Sequence, residues 1–416
     1  MKKLSLILMS IFALGLITSC SSSNEENVTT GPDLVTGTKT LTINITGANP
    51  MAGRSTGTLN SGQLQVPGDE ATINNLIVIV YDNDLGKFET ANKFVNPDAP
   101  GGTITEKVYF KTTNPSVFVL ANVPLNAVDA VVGQNMEAFK EDLSASLNLT
   151  SIDGTTAGTS QLPTALPMIG SSTDLTANGT ETVGGKTIYK YASNVTLHRM
   201  VSRVALTSFS TNFSGAGESF TVTDVFLKHV NTTSGFLHAD ITANAGKVTM
   251  NGTPKLGSLY DGMTVATSSA PTASYLRESY PSPAHWDGTK PAFFYVFPNN
   301  ASTFDAKTQL VIKGNYVSET GATPVERYYV CVVNAVPDGS KVTYEAPVGG
   351  SIPTDAGSGT ISANRTYSLK VTVTGAPQEP NDVAQDVDPT PQGSNNVELT
   401  ITVANWAADI IQNVSF

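Results

Sequence analysis

Apolar residues in this chain recur at every second position over short runs, and almost nowhere at helical spacing. Leu41, Ile43 and Ile45 alternate with Thr42, Asn44 and Thr46, and Gly47, Asn49 and Pro50 stop the run. A period of two marks a strand with one buried face, because successive side chains point to opposite sides of a sheet. Residues 73–81 are instead almost continuously apolar and β-branched, which predicts a central strand covered on both faces. Further strands are expected at 107–110, 117–123, 188–191, 195–206, 220–230, 236–241, 247–250, 293–297, 309–313, 327–333 and 367–373, with turn residues dividing them. His198, Arg199 and Arg203 interrupt the alternation within 195–206, as a bulge would. One helix is expected, over 135–147, where Met136, Phe139, Leu143 and Leu147 fall at three- and four-residue spacing. Short strands at such spacing predict an all-β chain of two β-sandwiches in series.

Composition narrows the function. With 24 basic against 35 acidic residues in 416, the chain offers neither a nucleic-acid groove nor a polybasic lipid patch. Four histidines, His198, His229, His238 and His285, are scattered without metal-ligand spacing, and no nucleophile elbow or phosphate-binding glycine loop precedes a helix. The expectation is therefore a protein without enzymatic activity, cofactor or metal. Trp286, with Tyr280, His285 and Tyr295 nearby, leaves a different reading open: a monomeric surface lipoprotein that binds glycan or host protein through its loops.

The N-terminus sets the compartment. Lys2 and Lys3 precede an apolar stretch at 4–16, and Ile17, Thr18, Ser19 and Cys20 read as a lipobox, so 1–19 is a lipoprotein signal peptide. Cys20 becomes the acylated, palmitate-bearing first residue, which anchors the chain to a membrane without a spanning helix. Residues 21–37 are a polar tether. Cys331 is the one cysteine left after lipidation, so an intramolecular disulfide is excluded, and it lies in an apolar run as a structural thiol.

Two segments stand apart from the sandwich pattern. Residues 51–68 are rich in Gly, Ser and Thr and hold a single basic residue, Arg54, which predicts an exposed loop behind the first strand. At the other end, a Pro-, Asp- and Gln-rich linker over 375–396 leads into Val397, Leu399, Ile401 and Val403, which alternate with polar residues. After Asn405 the phase switches, and Trp406, Ala408, Ile410, Val414 and Phe416 occupy even positions, as two collinear half-strands would. This tail reads either as the last strand of its own sandwich or as a strand that reaches another molecule, and the long linker favours the second.

Taken together, these features resemble the Bacteroidales fimbrillins, type V pilins of the major and minor fimbrial subunit families. Residues 197–205, centred on Arg199 and Arg203, are similar to that family's strand near the junction of its two domains, and 166–168, 294–299 and 364–369 resemble its other recurrent segments. The resemblance implies two tandem sandwiches of transthyretin-like, Greek-key type, one short helix and a C-terminal donor strand. It implies outer-membrane export as a lipoprotein and cutting by an arginine-specific protease in the loop behind the first strand, then assembly of identical or related subunits into an extracellular fimbria. The matching cut lies at Arg54, making Ser55 the mature N-terminus; the family's best-known members carry Ala there. Lys39 is the other basic residue between Cys20 and Lys87 and precedes the first strand, so cutting at Arg54 is what releases Leu41, Ile43 and Ile45 with the anchor. The implied plan is 20–54 removed on maturation, 55–195 and 196–375 as the two sandwiches, and 376–416 as linker and donor. A complete terminal strand implies a stalk subunit.

Overall fold

The computed structural model describes residues 38–46, 73–95, 108–137, 166–231, 234–235, 253–254, 259–261, 277–279, 292–336, 341–346, 351–385 and 397–405, all within one compact unit, Thr36–Phe416. Cys20, Arg54, Ser55, Trp286, and the tail residues Trp406, Ala408, Ile410, Val414 and Phe416 lie outside them. So do the strands expected at 236–241 and 247–250 and most of the helix expected at 135–147.

The first sandwich is built from two sheets. One has four strands in the order β4, β1, β8, β7, formed by β1 (Lys39–Thr46), β4 (Val108–Phe110), β7 (Thr176–Val183) and β8 (Lys186–Thr196). The other runs β3, β2, β5, β6, β9, from β2 (Asn75–Asp82), β3 (Lys87–Val95), β5 (Pro115–Ala121), β6 (Met168–Ser172) and β9 (His198–Arg199). β2 is the central strand that its apolar run predicts, flanked by β3 and β5 and buried from its second residue to its last. Leu76, Val78 and Val80 face β1 and β4 across the sandwich, whereas Ile77, Ile79 and Tyr81 join a second cluster with Phe88, Phe118 and Val128. Gly170 in β6 is required by close approach: a Cβ there would collide with the carbonyl of Thr196 in β8.

The second sandwich repeats the style with new strands. One sheet runs β16, β10, β20, β21, β19, from β10 (Ser202–Thr211), β16 (Ala292–Val296), β19 (Lys341–Glu345), β20 (Arg365–Val373) and β21 (Val397–Asn405). Facing it, β11 (Ser219–Asn231) pairs with β14 (Leu259–Asp261), β15 (Arg277–Ser279) and β17 (Gln309–Val317), and β18 (Val325–Val332) pairs with β17. A small ribbon joins β12 (Ser234–Gly235) to β13 (Thr253–Pro254). Val204, Leu206, Tyr367, Leu369 and Val371 meet Val225, Leu227, Leu310 and Ile312 between the sheets.

Two readings change in detail. The irregular strand expected at 195–206 serves three sheets in turn, as β8, β9 and β10, with Met200 and Val201 buried at the crossing. The register irregularity in this stretch falls later, between Leu206 and Ser208. Within the expected linker, a short helix α1 (Pro380–Ala384) forms instead, Gln378 exchanges backbone hydrogen bonds with Tyr328, and Val383 is buried against Phe226, Val311 and Tyr328. The fully buried ammonium of Lys228 donates to the Val383 carbonyl at 2.6 Å. The first part of this segment is thus docked along β18.

Candidate functional site

β1 is an inner strand. It pairs in parallel with β8 along its whole length, from Lys39 opposite Tyr189 to Thr46 opposite Thr196, and antiparallel with β4 from Lys39 opposite Phe110 to Leu41 opposite Val108. Leu41 and Ile43 have no exposed surface and pack on Leu76, Val78, Val80, Phe110, Val119 and Val195. Ile45 holds its place in the ladder opposite Val195. At roughly 1.5 to 3 kcal/mol for each large apolar side chain, this burial is a substantial part of what holds the strand. Taking β1 away uncovers two backbone edges and the apolar floor between them.

The start of β1 is tied by charge. Lys39 Nζ donates to the carbonyls of Lys111 at 3.0 Å and Thr112 at 2.5 Å and lies 5.6 Å from the centre of the Phe110 ring. Burial lowers the pKa of Lys39 below the usual lysine value, and the carboxylates of Glu89 and Asp82 oppose that shift.

Val397, Leu399, Ile401 and Val403 all lie in β21, which is also an inner strand. It pairs antiparallel with β20 from Val397 opposite Val373 to Asn405 opposite Arg365, and in parallel with β19 from Glu398 opposite Lys341 to Thr402 opposite Glu345. Leu206, Leu369, Ile401 and Tyr344 thereby form one row across four strands. Leu399 and Ile401 are buried in the second sandwich, and Val397 packs against it. β1 and β21 thus share a setting, with one parallel and one antiparallel neighbour, and each carries Leu-Thr-Ile with Leu and Ile inward.

Elsewhere the chemistry is structural. No group of three metal-ligating side chains occurs among the described residues. Cys331 is buried, and burial pushes its thiol pKa up to about 12, the opposite of what a nucleophile requires. Tyr295 is wholly buried in the core of the second sandwich.

The first and last described strands of this two-sandwich chain, β1 and β21, are thus both inner strands of their sheets. The family model described as major fimbrial subunit protein (FimA) matches residues 39–199, a span that begins at the first residue of β1 and ends at the last of β9. A fimbrilin from Porphyromonas gingivalis is similar in fold, with a TM-score of 0.51 and 17% identity over 91% of this chain and 99% of its own. Two candidate cell adhesion proteins share the fold as well. The one from Bacteroides eggerthii has a TM-score of 0.54 and 19% identity over 92% of this chain and all of its own. The one from Parabacteroides distasonis has a TM-score of 0.54 and 17% identity over 90% of this chain and all of its own. Among curated proteins none matches the chain. The resemblance to the Bacteroidales fimbrillins is therefore borne out over residues 39–199 by a fimbrial-subunit family model, and the solved structures bear out the fold.

Proposed function

We propose that this chain is a stalk subunit exported as a lipoprotein on Cys20 and assembled by protease-triggered strand exchange. An arginine-specific protease cuts between Arg54 and Ser55, residues 20–54 leave with β1, and the C-terminal strand of a neighbouring subunit fills the vacated slot in the sandwich of residues 55–195. The observation that carries this reading is the place of β1: an inner strand with buried Leu41 and Ile43, upstream of the cut and continuous with the anchor.

Thermodynamics bears on which part of the tail is donated. Moving β21 itself would empty one inner position in order to fill another, with little net gain in burial. A segment beyond β21 that adds Trp406, Ala408, Ile410, Val414 and Phe416 to a vacant slot gains their burial outright, against association costs of roughly 4 to 15 kcal/mol. The slot spans eight residues, about 26 Å of strand, and residues 406–416 extended reach about 36 Å. In this reading the sandwich of residues 196–375 keeps β21 and presents residues 406–416 to the neighbour. Strand addition of this kind satisfies main-chain hydrogen bonds and apolar pockets together.

The test monitors ladder formation by the full-length chain after limited digestion with an arginine-specific protease. Arg54→Ala blocks the ladder, and a chain ending at Asn405 is cut normally but stays monomeric. A disulfide between Cys residues placed at Lys370 and Thr400, which face each other in β20 and β21, leaves assembly intact. Ladders from Arg54→Ala would sink strand exchange triggered at this site, whereas a parent that is cut and stays monomeric would favour the loop-binding lipoprotein. Ladders from the shortened chain would remove residues 406–416 as donor, and failure of the cross-linked chain would mean that β21 itself moves.

A further inference from the structure

The corner between β4 and β5 is gripped from two strands. From β3, the Glu89 carboxylate accepts the backbone N–H groups of Lys111 at 2.5 Å and Thr112 at 2.9 Å. From β1, the Lys39 ammonium donates to the carbonyls of the same two residues, so one peptide corner is held by an anion on its donors and a cation on its acceptors. Thr38 and Thr112 beside it are buried. Charge-assisted hydrogen bonds are the stronger kind, and partial burial limits competition from water.

We infer that this corner is a latch on the precursor strand: Lys39 retains β1 in its slot after the chain has been cut, so that cutting and vacating are separate steps and Lys39 governs the second. The inference rests on the strand-exchange reading above. Arg54 lies beyond the C-terminal end of β1, whereas Lys39 is its first residue, so the cut frees the end opposite the latch. No residue from 397 to 416 is Lys, Arg or His, so an incoming tail has no cation to offer Lys111 and Thr112. The contact therefore belongs to the precursor alone. It delays exchange until a neighbour's tail competes for the slot, and contributes nothing to the finished fibre. A slot that stays filled until a partner arrives also spares the cut subunit a period with exposed strand edges.

The experiment separates the two steps. Full-length parent and Lys39→Met chains are cut with an arginine-specific protease, which ignores Lys39, and sampled over time by gel filtration for the N-terminal fragment and by gel for ladders. Lys39→Met keeps the apolar stem and removes the donors. It is expected to release the fragment about tenfold faster or more, the factor that corresponds to about 1.4 kcal/mol. The ladder lag should shorten in step, while the cutting rate and the heat resistance of finished ladders stay as in the parent. Glu89→Gln, which weakens the same corner from β3, is expected to shift release in the same direction and carries the test if Lys39→Met does not fold. Release within about twofold of the parent in a chain that still forms ladders overturns the latch, whereas a parent that is cut and never forms ladders overturns strand exchange itself.

Discussion

Asn299 has no exposed surface, yet both ends of its amide are used. Its Nδ2 donates to the carbonyls of His229 (3.0 Å) and Ala306 (2.9 Å) and to Thr308 Oγ1 (3.1 Å), and its Oδ1 accepts from the N–H of Ala301 (3.0 Å). The His229 carbonyl needs such a partner because β11 slips register between Lys228 and Val230, with His229 at a φ of 55°. A bulge inside a core frees backbone groups that no ladder satisfies. Asn299→Ala should therefore cost about 2 to 3 kcal/mol, read as a lower urea midpoint with an unchanged slope. Such a position is invisible to hydrophobic patterning, since Asn299 comes directly after Pro298 in what reads as a turn. Gly314 is similar: a Cβ there would meet the Phe220 ring edge at 2.5 Å, a packing demand that no single strand announces. Cys331 went the other way, for its apolar neighbours alone were enough to mark it as buried and inert.

Among elements, legibility tracks burial. β2, β11, β17 and β20 carry enough inward apolar side chains to be read directly, because the hydrophobic effect acts on most of their residues. β7, with the sequence Thr-Ala-Asn-Gly-Thr-Glu-Thr-Val, is an edge strand exposed along nearly its whole length and has no such signal. β3 and β19 are edge strands too, and went unread for the same reason. β21 was legible as a strand but not as an inner one, because alternation reports a buried face and is silent on which neighbours supply it. That position changes what truncation does. A chain ending at residue 396 should lose the second sandwich, not just assembly, and Ile401→Ala should destabilise it by about 2 to 5 kcal/mol, measured by chemical denaturation. Equal melting of the 396-residue chain and the parent would show that β21 is dispensable to its own sheet.

At the scale of the molecule, one apolar cluster runs from Ile77 and Phe118 through Met200 and Val201 to Leu369 and Ile401. The chain leaves the first pair of sheets at Arg199 and enters the second at Ser202, so this crossing has no room for a free linker. Unfolding one pair of sheets would expose the apolar surface that the other packs against. The uncut chain is therefore expected to melt as a single cooperative transition by calorimetry, with the calorimetric and van't Hoff enthalpies in agreement. Two resolved transitions would mean that the junction couples the halves only weakly.

Period-two alternation, the turn residues between runs and the scarcity of charge determined by themselves that this chain is all-β, and the order of its motifs was enough for the fimbrillin resemblance. Such signals are local: each arises from how one segment divides its side chains between water and a core. Which strands become neighbours is a non-local question, and only the tertiary structure decided that Leu41 and Ile43 sit between β4 and β8, that Ile401 lies between β20 and β19, and that Lys39 and Glu89 share one peptide corner. Backbone hydrogen bonds are the same in every ladder, so a strand's sequence records the face it buries and leaves its partners to the packing of the whole.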